Sequence, residues 1–111
     1  MRQGDKPHKK TDKVLWELLT HKISIGSYIF LKHAKERLRE RCINDIDVID
    51  ILEDRINRKR RRNKSKDTYE TGHHDWNYCI EGRDLEGHKI RIIISFDSNL
   101  MLVITVMRLD D

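Results

Sequence analysis

His88-Lys89-Ile90-Arg91-Ile92-Ile93-Ile94-Ser95-Phe96 is the stretch that decides the fold. Its isoleucines are β-branched and stiff at χ1, which favours a pleated strand over a helix. Asp97-Ser98-Asn99 follows as a tight turn, and Leu100 to Met107 is a second β-branched strand. Upstream, Trp76, Tyr78 and Ile80 alternate with Asn77, Cys79 and Glu81, and Gly82 to Gly87 holds a turn around Asp84-Leu85-Glu86-Gly87. Three strands with short connections make an antiparallel meander. A strand with one wet face alternates apolar and polar residues. The central strand alternates only through Arg91 and Ser95, so its second face is partly covered or forms a cleft. A charge among isoleucines needs a partner or a route to solvent. Arg91 therefore either pairs with Glu81 or Asp84 across the hairpin or serves as a phosphate-binding arginine on the open face.

Towards the N-terminus the period changes to that of helices. Thr11-Asp12 is a helix start, Val14, Leu15, Leu18 and Leu19 recur at helical spacing, and the pattern fades near Lys22 before Gly26. Tyr28-Ile29-Phe30-Leu31 is a short apolar run that is either a strand or the entry to the next helix. His33 to Cys42 is built of strong helix formers, with Ala34, Leu38 and Cys42 as its apolar row. Asn44 is an N-cap, Asp45 and Asp47 occupy the first turn, and Ile46, Ile49, Leu52, Glu53 and Ile56 carry the helical period to about residue 58, with Glu53 its one polar member. Helices first and strands after predict an α+β domain, its N-terminal helices packed on one face of a C-terminal antiparallel sheet. Residues 1–10 read as a flexible, charged N-terminal tail and residues 11–111 as a single domain.

Charge is distributed unevenly. The chain has 23 basic and 19 acidic residues, a net charge of +4. The internal run from Arg55 to Lys66 holds eight of the basic residues and no acid, so the rest of the chain is net negative. Such a run is either a solvated helix end or loop, or a patch for a polyanion such as nucleic acid. No apolar stretch approaches the ~20 residues needed to span a bilayer. The polar start, Met1-Arg2-Gln3-Gly4-Asp5-Lys6, predicts a cytoplasmic location with no membrane partner. Cys42 and Cys79 have no metal-site or redox-motif spacing and read as reduced thiols.

Three constellations could carry chemistry. His33, Arg37 and Arg41 share one helix face, where a proton-exchanging imidazole would sit beside cations able to stabilise a pentavalent phosphate; otherwise they are a solvated basic face. Gly72-His73-His74-Asp75 offers two histidines and an acid, but neighbours on a strand point to opposite sides and no spaced third ligand is visible. It reads as a loop entering the hairpin, and no metal or other cofactor is expected. Trp76 and Tyr78 are either core aromatics or a platform for a nucleobase. Phosphate-binding glycine loops, serine nucleophile elbows and paired metal carboxylates are not seen, which removes most nucleoside-triphosphatase and hydrolase classes.

Two blocks together resemble a small bacterial family catalogued as a domain of unknown function. His33-Ala34-Lys35-Glu36-Arg37-Leu38-Arg39-Glu40-Arg41-Cys42-Ile43 is similar to its H-A-x-x-R-x-x-E-R-x-I pattern, in which a glycine often stands where this chain has Cys42. Trp76, Tyr78 and Gly82, then Ile90 to Ser95 and Val103 to Val106, resemble its C-terminal meander. That family belongs to the RelE/ParE toxin superfamily, and Lys6-Pro7-His8 with the helix after it also resembles the MqsR toxins. The resemblance runs from about residue 6 to 108 and implies a RelE-like fold with an open concave sheet face.

It further implies a toxin of a type II toxin–antitoxin system: a metal-independent messenger-RNA endoribonuclease (an mRNA interferase) acting on free or ribosome-bound RNA and held by a cognate antitoxin. MqsR-like toxins use a lysine before the sheet, a glutamine and a tyrosine on strands, and a C-terminal lysine. These positions fall near Arg60 to Lys64, Asn77, Arg91 and Arg108, and none is identical here. On chemical type, His33 or Tyr78 is the expected proton-transfer group, with Arg37 and Arg91 completing the catalytic set. Arg58, Arg60, Arg61, Arg62, Lys64 and Arg108 are the expected RNA-binding residues. Two other readings stay open: a non-enzymatic ParE-like toxin that poisons a protein target such as DNA gyrase, and a simple nucleic-acid-binding module.

Overall fold

A computed structural model describes residues 6–54 and 60–110. Helix α1 (Asp12–Ser24) starts where Thr11 accepts a hydrogen bond from the Val14 amide at 3.3 Å, and it buries Leu15, Leu19 and Ile23. Strand β1 (Tyr28–Phe30) leads directly into α2 (Lys32–Arg41). Helix α3 (Asp45–Glu53) is capped by the Asn44 side chain, which accepts from the Ile46 amide at 2.9 Å, and it buries Val48, Ile51 and Leu52. The expected continuation of α3 to residue 58 does not occur as far as Asp54, whose left-handed backbone (φ 58°) ends the helix; Arg55 to Lys59 lie outside the described residues.

The meander is present as β3 (Tyr78–Arg83), β4 (Lys89–Asp97) and β5 (Leu100–Arg108), antiparallel throughout. Two edges extend it. β1 pairs in parallel with β5, Phe30 opposite Val103, and Arg61–Arg62 form a short strand β2 antiparallel to β3. The sheet order is β1-β5-β4-β3-β2, a mixed sheet rather than the purely antiparallel one expected. An irregularity at Ile93/Ile94 leaves Ile104 as an extra residue on β5 and resets its alternation, so that Met101, Val103 and Val106 all point to the core. Tyr78, Ile80, Ile90, Ile92, Ile94 and Phe96 complete that face and pack with the buried residues of α1 and α3 in one cluster. Ala34 of α2 belongs to it too, and α2 lies against β5.

Cys42 is not the end of an apolar row. It is exposed and left-handed (φ 53°, ψ 44°), and it closes α2 with the Ile43 amide donating to the Leu38 carbonyl at 2.9 Å. This is the helix-ending position that glycine fills without steric cost. Cys42→Gly is therefore expected to stabilise the fold by roughly 0.5–1 kcal/mol. Thermal denaturation checks it; a lower melting temperature would show that the thiol contributes packing that outweighs the backbone relief.

Candidate functional site

The sheet face opposite the core is built from Cys79, Glu81, Arg91, Ile93, Ser95, Leu102 and Thr105, paired across strands as Glu81–Arg91, Cys79–Ile93, Ile93–Thr105 and Ser95–Leu102. Along β3 this face is covered. After β2, a single turn of tight helix at Lys64–Lys66 crosses over β3, and the chain returns through a bridge between Thr68 and Asn77. Cys79 is fully buried beneath it, and burial pushes its thiol up to about 11. Further along β4 and β5 the cover stops and a cleft opens, as the pattern of the central strand predicted.

The cleft encloses about 440 Å³, with Leu31, Phe96, Leu102 and Ile104 as apolar lining and Asn77 and Ser95 as buried polar wall. One side is the loop from Glu70 to His74, shaped by a turn in which the His73 amide donates to the Glu70 carbonyl at 3.0 Å. Gly72 supplies the positive φ of 88° that this turn requires. The loop carries two histidine–carboxylate pairs to the mouth. His73 Nε2 lies 3.2 Å from Glu70 Oε2, and His74 Nε2 lies 3.1 Å from Asp97 Oδ1 at the β4–β5 turn. Both imidazoles are more than half exposed. Histidine changes charge between about pH 5 and 8, and a carboxylate on one ring nitrogen fixes the tautomer and supports the imidazolium. The pairs can thus move protons at the edge of a pocket with an apolar floor. Among the described residues no three histidine, cysteine or acidic side chains come together as a metal site.

A second cluster lies toward the other end of the same face. Glu81, 2% exposed, accepts from Arg61 at 3.2 Å, from Asn63 at 3.1 Å and from Arg91 Nε at 3.0 Å. Burial raises its pKa, but these donors outweigh burial and hold the carboxyl below its ordinary value. Arg91 is thus the cross-hairpin ion pair, and Arg61, Arg83 and Lys89 line a shallow basic pocket beside it. Because the folded-state pKa is depressed, the stability Glu81 contributes is present above the ordinary glutamate value of about 4.3 and is lost as pH falls below it. Asp84 behaves alike: burial is outweighed by hydrogen bonds from the His88 amide and ring. Urea midpoints should therefore fall steeply below about pH 4, and Glu81→Gln should flatten that fall. An unchanged acid slope in the variant would remove Glu81 from the explanation.

The other expected site residues are distributed differently. His33 is exposed on the first turn of α2, and Arg37 pairs with Glu40 at 2.6 Å; neither lines the cleft. Tyr78 is fully buried. Its hydroxyl donates to Asp75 at 2.6 Å and accepts from the Lys10 amide at 3.1 Å. Burial and the Asp75 hydrogen bond raise its pKa well above the ordinary phenol value, so it keeps its proton. Arg60 stacks on Trp16, 4.4 Å to the ring centre, and donates to the Leu52 carbonyl at the end of α3. Arg62 is buried against Asp67, while Arg61 and Lys64 are largely exposed, with Lys64 3.2 Å from Asp12. Arg108 is half-buried opposite Ile90, and Arg58 lies outside the described residues. Trp76 is occupied: its ring nitrogen donates to the Pro7 carbonyl at 2.9 Å, and Lys6, Lys9 and Tyr69 lie against the ring. Residues 6–10 are thereby held against the domain, with Lys10 also 2.9 Å from buried Asp75; residues 1–5 lie outside the described part.

The pairs at the cleft mouth escape sequence reasoning because His73 and His74 read there as a loop entering the hairpin, weighed only against metal binding. The Glu70-x-x-His73 spacing is readable as a hydrogen-bonded pair, whereas Asp97 approaches His74 only through the fold. Among the described residues no helix is long and apolar enough to cross a membrane. No curated protein and no solved structure matches this chain. A family model described as "Domain of unknown function (DUF4258)" matches residues 30–108, a span that holds both the cleft and the Glu81 cluster. That match covers well over half of the sequence, and the chain belongs to the DUF4258 family.

Proposed function

We propose that this protein is a cytoplasmic RNA-cleaving toxin of the RelE/ParE superfamily, the toxin half of a type II toxin–antitoxin pair and a metal-independent endoribonuclease of messenger RNA. The observation that carries the reading is the cleft with two histidine–carboxylate pairs at its mouth. Cleavage by internal transesterification removes a proton from the 2′-hydroxyl as that oxygen attacks the adjacent phosphorus. It delivers a proton to the 5′-oxygen as the P–O bond breaks, leaving a 2′,3′-cyclic phosphate and a 5′-hydroxyl. One base and one acid suffice. His73 and His74 supply them, each backed by its carboxylate. These two take the proton-handling roles that chemical type alone gives to His33 and Tyr78, since the Tyr78 hydroxyl is inside the core and His33 is not part of the cleft.

The backbone of the RNA runs along the open face from the cleft towards Arg61, Arg83 and Lys89, whose charge attracts it. Lys89 and Ser95 are six residues apart on β4, so the two ends of this track are separated by roughly 20 Å of strand. The simple binding-module reading needs the whole basic run as its contact surface, and Arg60 and Arg62 face inward instead. Purified protein is incubated with single-stranded RNA and with translating ribosomes, both with chelator present. Fragments ending in 2′,3′-cyclic phosphate are expected. RNA left intact in both mixtures at high protein excess would rule out the enzymatic reading and favour a toxin that acts on a protein target.

A further inference from the structure

The cleft contains one polar atom that the fold leaves unanswered. Asn77 is 7% exposed, and its Oδ1 is shielded from solvent with no hydrogen-bond partner among the described residues. An unpaired buried amide oxygen is destabilising, and native structures keep few of them. The orientation of the amide is set by Glu70: Nδ2 faces the Glu70 carboxylate at 3.5 Å, and turning the amide over would bring two oxygens together. That contact is long, so the amide can make the small rotation that brings Oδ1 to the cleft surface at little cost. Around Asn77 the lining is apolar, from Leu31, Leu102 and Ile104, and the volume of about 440 Å³ is ample for a planar heterocycle.

We propose that this cleft is a nucleobase pocket that selects for a base with an exocyclic amine next to a ring nitrogen, adenine or cytosine, through the Asn77 amide. The inference rests on the RNA-cleaving reading and deepens it by naming the base held beside the reacting phosphate. The amine donates to Oδ1, and the ring nitrogen accepts from Nδ2, the donor–acceptor edge that asparagine matches on adenine. Uracil presents a carbonyl next to its ring N–H, and so does guanine on its Watson–Crick edge, while guanine's own amine–ring-nitrogen edge, N2 beside N3, lies against its ribose. In the same pose that carbonyl would face Oδ1, oxygen against oxygen, above a floor that offers no donor. Ser95 does not relieve this, because its hydroxyl donates to the Trp76 carbonyl at 2.8 Å. Selectivity therefore comes from one side chain and from the cost of leaving a base carbonyl unpaired.

The test titrates the full-length protein with the four nucleoside 3′-monophosphates, which need no turnover, and separately maps cleavage positions on an RNA of mixed sequence. The adenine and cytosine nucleotides should bind at least about tenfold more tightly than the other two. Asn77→Ala should reduce that ratio to near one, with circular dichroism showing an unchanged fold. Ile104→Trp, which fills the floor, should weaken all four, and it decides the matter if Asn77→Ala does not fold. Equal binding of the four nucleotides by the wild-type protein overturns the pocket even if RNA is cleaved. Selective binding without cleavage keeps the pocket and rejects the catalytic reading.

Discussion

Replacing His73 or His74 with alanine is expected to slow RNA cleavage by about 10²- to 10⁴-fold, the usual contribution of a positioned acid or base. The double variant should lose little more than the worse single one, because a base and an acid that act in the same transition state are not independent. Stability should hardly change. Both imidazoles are more than half exposed, and exposed ion pairs contribute about 0–1 kcal/mol. Loss of activity without loss of melting temperature therefore separates chemistry from folding. Glu70→Gln and Asp97→Asn keep the shape but weaken support for the imidazolium, so they should lower kcat more than they raise KM. His33→Ala provides the contrast: it stands on the solvent side of α2 and should cleave at nearly the wild-type rate. Wild-type rates in both single cleft variants would return these residues to the status of a charged surface loop.

The fold was legible where local chemistry and tertiary structure agree. Thr11 and Asn44 cap the helices that follow them in sequence, and the two β-branched blocks form the two long strands β4 and β5. What escaped was pairing at a distance. Tyr28–Phe30 is too short for its period to decide between helix and strand, and its partner Met101–Val103 lies more than seventy residues away. Arg61–Arg62 has no strand propensity to read. It becomes an edge strand because Glu81 and Asp67 hold its two side chains on opposite faces of the sheet. The candidate site followed the same division. The covered-or-cleft reading of the Ile90–Phe96 strand held, and the Arg91–Glu81 pair was one of the two outcomes that the strand pattern left open. The cleft's working groups lie in a loop and a turn, where no periodicity places side chains. His74 meets Asp97 only after the meander has folded.

Arg62→Ala is expected to destabilise the protein by about 3–5 kcal/mol, a large share of the stability of a domain this size. Its side chain is 2% exposed, and the Asp67 side chain beside it is fully buried. The guanidinium donates through Nε and Nη2 to Asp67 at 3.1 and 3.0 Å, and through Nη1 to the Lys10 carbonyl at 2.7 Å and to Asp12 at 2.9 Å. Its Cζ lies 5.1 Å from the Tyr78 ring centre. Asp67 in turn accepts from the Cys79 amide at 2.9 Å, so the pair joins the N-terminal segment, the edge strand and β3. Among the described residues, truncation would leave the buried carboxylate with Lys9, 3.8 Å away, as its ion-pair partner. Arg62→Lys keeps the charge but not the fork, so it should fall between the two. Adding Asp67→Asn to Arg62→Met removes the orphaned charge while keeping an acceptor for Cys79, and it should recover much of the loss. A loss below about 1 kcal/mol in urea unfolding would mean that water reaches the pair. The outcome also governs how the basic run is tested for RNA binding. Neutralising Arg60, Arg61 and Arg62 together would mix unfolding with weakened binding, because two of the three face inward. Arg61→Ala with Lys64→Ala removes charge from the exposed side, and each phosphate that is no longer neutralised should lower the salt slope of RNA binding by about 0.7.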